Sequence, residues 1–151
     1  MIHNNTIPSI PFYFVRHGQT DWNREGNVMG QQDIPLNQVG MKQAQKVADY
    51  LKDSHIMIDR IVSSPLMRAK QTAEIISSVI HAPIHFHDGL KECMLGMLEG
   101  VPKTGSLIEN YFDKRITPKG AEHIELFQKR CVTAINSSLQ QDSTTLIVAH
   151  G

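Results

Sequence analysis

The sequence runs to 151 residues, enough for one domain over residues 1–151 with a core of its own. Fifteen Lys and Arg balance fifteen Asp and Glu, which excludes a strongly basic nucleic-acid binder and requires any anionic ligand to be held by a local cluster of positive charge. The two cysteines, Cys93 and Cys131, are too few for a disulfide framework and too widely separated for a Cys-x-x-Cys pair, so reduced thiols and a cytoplasmic protein are expected.

Met1 to Pro11 carries neither a basic n-region nor a long apolar run, so no secretory leader is expected there. Apolar runs long enough to span a bilayer are absent, and no membrane partner is expected. Phe12 to Val15 is an aromatic and β-branched run that predicts a buried strand stopping at Arg16-His17-Gly18. From Asn37 to Asp53, Ala44, Val47, Ala48 and Leu51 repeat at i, i+3, i+4, i+7 and predict an amphipathic helix. A second strand is expected over Ile56–Val62, ending at Ser63-Ser64-Pro65. Ser64 reads as an N-cap with Pro65 at the first helical position, opening a helix with Leu66, Ala69, Ala73, Ile76 and Ile80 on one side.

Pro83 to His87 is a weaker third strand that ends at Asp88-Gly89. Thr117-Pro118 predicts another helix start, with Ile124, Phe127, Cys131 and Ile135 facing the core. Thr144 to Ala149 predicts a strong last strand before His150-Gly151. Short strands alternating with helices imply an α/β fold: a three-layer sandwich with a mainly parallel central sheet and helices on both faces.

In such sheets, ligands bind at the carboxyl ends of the strands. Those ends carry Arg16, His17, Arg68 one turn beyond Ser64, the acidic stretch Asp88 to Glu92, and His150. Arg16 offers a five-donor fork suited to phosphate oxygens. His17 can serve as nucleophile or base, and Arg68 lies in a first helical turn, where free N–H groups favour an anion. Two arginines, two histidines and a helix start around one point describe a phosphoryl site. Among Asp88, Glu92 and Glu99, residue chemistry alone does not select the acid. His85 and His87 lie on one strand face and could begin a metal site, but they lack a matching downstream cluster, and exposed strand positions are expected. Trp22 reads as a packing residue over its loop, and Met94 and Met97 as fillers of core gaps.

Arg16-His17-Gly18-Gln19-Thr20-Asp21-Trp22-Asn23 resembles the signature of the histidine phosphatase superfamily, which includes the cofactor-dependent phosphoglycerate mutases. The stretch from Ser63 to Ala73, the segment Leu90-Lys91-Glu92 with Gly96 and Glu99-Gly100, and Val148-Ala149-His150-Gly151 are similar to its later motifs, in family order. The resemblance implies a phosphoglycerate mutase-like fold and His17 as the nucleophile that becomes phosphohistidine. It implies Arg16, Arg68 and His150 around the phosphoryl oxygens, with Asn23 as a further donor. Glu92 would protonate the leaving alkoxide and then activate water as a carboxylate. No metal and no cofactor is implied; the partner is a small phosphorylated substrate.

The sequence departs from the family pattern at Leu98, where an aromatic residue commonly precedes the Glu-Gly pair. It also ends at Gly151, directly after the last motif, where family members usually continue. A truncated domain whose last strand is poorly covered on one face, or a homo-oligomer that covers it, is the expectation. Between Glu92 and Thr117 the chain lacks the long insertion with which family mutases exclude water, so a metal-independent phosphatase is the expected activity. A mutase-type phosphoryl transferase (isomerase-like) and a non-catalytic phospho-ligand binding domain are the alternatives. Substrate choice is expected to lie in Met94–Lys114.

Overall fold

Among the described residues, runs of β-branched and aliphatic side chains form four strands: β1 (Tyr13–Arg16), β2 (Arg60–Ser63), β3 (Ile84–Phe86) and β4 (Thr145–Ala149). The computed structural model describes residues 6–7, 9–104 and 106–151. Residues 1–5 and 8, most of the stretch read above for a leader, lie outside the described residues, as does residue 105 of Met94–Lys114. The strands pair in the order β1-β4-β2-β3, and every pairing is parallel. The protein is therefore an α/β sandwich, as the alternation of elements predicts.

Among the described residues, five α-helices accompany the sheet: α1 (Asp21–Glu25), α2 (Gln38–Asp53), α3 (Met67–Ile80), α4 (Ser106–Phe112) and α5 (Ile124–Ser138). Side chains of β4 alternate between two cores, as strand pleating requires. Leu146 and Val148 pack with Ala48 and Leu51 of α2 and Ala69, Ala73 and Ile76 of α3 on one face. Ile147 and Ala149 pack with Leu90, Ala134 of α5 and Leu139 on the other. A third cluster, around Cys93, Leu95, Leu98, Tyr111 and Ile124, braces the segments that follow β3. Among the described residues, no helix is long and apolar enough to cross a membrane.

The last strand is not poorly covered, contrary to expectation. Every residue of β4 is buried, because the strand lies between β1 and β2 and is packed on both faces. The exposed strands are the two edges, β3 with Phe86 at its end and β1, where Tyr13 and Phe14 are 42% and 49% exposed although a buried strand was expected over Phe12–Val15. Two helix starts also differ. α3 begins at Met67, not at Pro65: its first N–H donates to Asp33 Oδ1 at 2.6 Å, and its N-cap, Leu66, offers no side-chain bond. α5 begins at Ile124 because Thr117-Pro118 leads into a turn. Ala121 N donates to Pro118 O, and Gly120 takes a positive φ of 78°, the conformation the third position of such a turn demands. α1 has a complete capping box between Thr20 and Asn23, which was not anticipated.

Candidate active site

The parallel ladder continues past the strand ends and brings His17, Ser64 and His150 together. His17 N donates to Ala149 O at 3.0 Å, and Ser64 N donates to Val148 O at 2.9 Å. These bonds align the residues that follow β1, β2 and β4. The rings of His17 and His150 then lie 5.2 Å apart between centroids, and His150 Nε2 pairs with Ser64 Oγ at 2.8 Å. Ser64 thus orients an imidazole instead of capping a helix.

His17 is buried, and its Nδ1 lies 2.7 Å from the carbonyl oxygen of Gly18. A carbonyl can only accept, so Nδ1 carries the proton and Nε2 carries the lone pair. Burial, with Arg68, Arg16 and Lys103 nearby, lowers the His17 pKa to about 4 against the raising effect of that bond. Burial next to Arg68, His17 and Arg16 lowers His150 to about 2. Both imidazoles are neutral at physiological pH.

The loop after His17 is pinned from two sides. Gly18 N donates to Thr72 Oγ1 at 3.1 Å, and that hydroxyl donates to Arg68 O at 2.8 Å. Gly18 also lies directly on α2, where an added Cβ would stand 2.4 Å from Gly40 O. A Cβ on Gly40 would stand 2.1 Å from Gln19 O, so two glycines permit one close backbone crossing. The motifs read from the sequence contain Gly18 but not Gly40, for which a lone glycine in a helical pattern is the available signal.

A cavity of about 700 Å³ opens here, with Arg16, His17, Glu92, Lys103 and His150 in its wall. Four of these were singled out from the sequence. Lys103 was not, because it stands apart from every motif. Arg68 is fully buried in the first turn of α3. It is not among the wall residues; its Nη1 and Nη2 donate to Gln32 O and Gly30 O, each at 2.8 Å, and its Nε has no partner among the described residues. Asn23 is not among the wall residues; its Oδ1 accepts from Thr20 N at 3.0 Å within the capping box.

The three candidate acids have different surroundings. Asp88 is exposed and pairs with Lys91 at 2.8 Å. Glu99 is occupied as a tie between loops, accepting from Gln31 N, Leu95 N and Gln32 Nε2. Glu92 lines the cavity, with its Oε1 accepting only from Cys93 N, at 2.9 Å. His87 has both ring nitrogens engaged, Nδ1 accepting from Gly89 N and Nε2 pairing with Ser137 Oγ, and His85 is exposed. Among the described residues, no cluster of three or more His, Cys, Asp or Glu could hold a metal ion.

The chain is similar to known proteins both in sequence and in fold. The chain is 39% identical over 142 residues to the uncharacterized phosphatase PhoE of Bacillus subtilis (strain 168), covering 91% of this chain and 69% of that one. It is 38% identical over 151 residues to the probable phosphoglycerate mutase GpmB of Proteus mirabilis (strain HI4320), covering 92% and 68%. Among solved structures, Bacillus stearothermophilus YhfR superposes with a TM-score of 0.83 at 30% identity, over 93% of this chain and 73% of that one. The crystal structure of TTHB049 from Thermus thermophilus gives 0.75 at 29%, over 93% and 78%. The profile of the histidine phosphatase superfamily (branch 1) matches residues 12–151, from the start of the first strand to the final His-Gly, and the chain belongs to that superfamily.

Proposed function

We propose that the chain hydrolyses small phosphomonoesters through a phosphohistidine at His17 Nε2. The observation that carries this reading is the 2.7 Å contact between His17 Nδ1 and Gly18 O, which fixes the tautomer with its lone pair on Nε2. Nε2 attacks phosphorus, the bond to the leaving oxygen breaks, and the Glu92 carboxyl delivers its proton to that oxygen. Water then attacks the phosphorus and gives a proton to the Glu92 carboxylate, and the P–Nε2 bond breaks to release phosphate.

Positive charge from Arg16, Arg68 and Lys103 suits the equatorial oxygens, where charge concentrates during phosphoryl transfer. Two buried polar atoms without partners among the described residues, Arg68 Nε and His150 Nδ1, belong to residues whose charge or ring lies near His17. His150 lines the cavity, and a phosphoryl group there is the ligand chemistry that would satisfy its Nδ1. Asn23 retains its amide N–H groups as a further donor. The chain is soluble and cytoplasmic in this reading and needs no metal or cofactor.

The test is phosphate release in the presence of a chelator, with wild type and Glu92→Gln, on an alkyl monoester and on p-nitrophenyl phosphate. General acid catalysis contributes about 10²–10⁴-fold, mostly where the leaving group is poor. Glu92→Gln should therefore slow alkyl hydrolysis by about 10²-fold and p-nitrophenyl phosphate hydrolysis far less. Equal slowing of both moves the acid role elsewhere, and abolition by chelator makes the reaction metal-dependent. Phosphoryl delivery to a second substrate in preference to water would favour the mutase reaction, which the resemblance to GpmB keeps in view.

A further inference from the structure

Arg130 projects from α5 toward the segment that carries Glu92 and uses its whole guanidinium there. Its Nη1 donates to Gly89 O at 3.0 Å and to Lys91 O at 2.7 Å. Its Nη2 donates to Glu92 O at 2.8 Å and to Glu122 Oε1, and its Nε donates to Glu122 Oε2 at 3.1 Å. A guanidinium has five N–H donors, and these contacts account for all of them. Glu122 completes the clamp by accepting from Met94 N at 2.9 Å through Oε1. The backbone on both sides of Glu92 is thus tied to one ion pair. Gln31 Nε2 adds a second donor to Glu92 O at 3.0 Å.

Besides the clamp, the segment is held by Cys93 and Leu95 packing in the third cluster and by Leu95 N donating to Glu99 Oε1. Residues 91–95 form no helix, and no strand of the sheet includes them. Two single helical turns, Asp88–Leu90 and Gly96–Leu98, flank it. Arg130 also stacks over the Phe127 ring at 5.1 Å, which orients the fork. Neither Arg130 nor Glu122 lines the cavity. The Arg130 charge is also felt at His150, but its hydrogen bonds on this segment go to the backbone around Glu92, so leaving-group selectivity separates the two effects.

We infer that Arg130, held by Glu122, is the positioning residue that sets the general acid Glu92 against the leaving-group oxygen. This rests on Glu92 being the acid, as argued under the proposed function. The bonds to Gly89, Lys91 and Glu92 are to backbone oxygens, so the clamp sets where the Glu92 main chain sits and from where its carboxyl reaches. A lysine at this position keeps the charge opposite Glu122, but its three donors cannot span four backbone and carboxylate partners in a planar fork.

The experiment compares alkyl monoester and p-nitrophenyl phosphate hydrolysis in wild type, Arg130→Lys, Glu92→Gln and the double variant. Displacing a catalytic group by about 1 Å can cost around 10²-fold, so a loosened segment should forfeit part of the acid's contribution. Arg130→Lys is expected to slow the alkyl ester about tenfold with p-nitrophenyl phosphate changed less than about threefold, and to add nothing selective to Glu92→Gln. If Glu92→Gln is selective for the alkyl ester and Arg130→Lys slows both substrates equally or neither, the positioning role is overturned while Glu92 stands as the acid. If Glu92→Gln itself lacks selectivity, both readings fall. Should circular dichroism show Arg130→Lys unfolded, Glu122→Gln decides by the same ratio; its amide oxygen can still accept from Met94 N, and only the hold on Arg130 is weakened.

Discussion

The site has two sides that are built differently. On one, His17, Ser64 and His150 follow strands of a parallel sheet, and main-chain bonds such as His17 N to Ala149 O carry the ladder on to them. On the other, Glu92 lies on an irregular segment whose backbone is held by side chains from elsewhere, above all Arg130 and Gln31. The nucleophile's place is set by the parallel ladder together with the close Gly18–Gly40 backbone crossing. The acid's place depends on Arg130 of α5 and its partner Glu122, on Gln31, and on the packing of Cys93 and Leu95. Rate defects on the two sides should therefore differ in kind: the first should affect every substrate, the second only those that need a proton on departure.

The largest blow to the strand-end side is expected from Gly18→Ala. The new methyl would stand 2.4 Å from Gly40 O, and backbone on both partners must move. Overpacking of this sort costs about 1–3 kcal/mol and occasionally more, here with displacement of the adjacent His17. Urea denaturation should show the lost stability, and hydrolysis of alkyl and p-nitrophenyl esters should fall together. A fall confined to the alkyl ester would mean that the two sides are not separable as described.

Acid should dismantle the two sides in sequence. His17 and His150 are neutral in the fold because burial lowers their pKa values, whereas the unfolded chain takes up protons near 6.5. Their contribution is complete above about pH 6.5 and is lost as pH falls, through about 4 for His17 and about 2 for His150. Burial would raise the Glu122 carboxyl, but the Arg130 hydrogen bonds overcome it and hold the group below its ordinary 4.5. Its contribution is present above that value and is lost only on further acidification. Denaturation midpoints measured from pH 7.5 to 3 should begin to fall near pH 6.5 in wild type. Replacing both histidines with Gln should delay the fall to the carboxylate range; an unchanged profile would contradict the assignment.

What the sequence made legible follows the same division. Phe12 to Val15 and Thr144 to Ala149 announce strands through composition alone, and a parallel sheet then puts their ends on one edge. His17 and His150 could be assigned to that edge; that β1 and β4 are neighbours is a finding of the structure. The helix starts at Thr117-Pro118 and Ser64-Pro65 misled because capping residues carry local propensity only. Gly120 turned the first into a loop turn, and His150 engaged Ser64 in the second. The coverage of β4 was misjudged because the final strand in sequence is interior in space. Glu92, Asp88 and Glu99 could not be separated by residue chemistry, since their difference lies in partners brought by folding: Lys91 for Asp88, Gln31 and Gln32 for Glu99. Arg130 and Glu122 gave no signal beyond a charge of each sign eight positions apart.

The central claim is that Nε2 of His17 is the nucleophile because Gly18 O holds the proton on Nδ1. Protein incubated with p-nitrophenyl phosphate, quenched in alkaline denaturant to preserve acid-labile phosphohistidine, can be digested and analysed by mass spectrometry and by phosphorus–nitrogen coupled NMR. One phosphoryl group on His17, bonded to Nε2, is the expected result. A phosphoryl group on Nδ1 or on any other residue, or continued turnover with His17 never labelled, would contradict it.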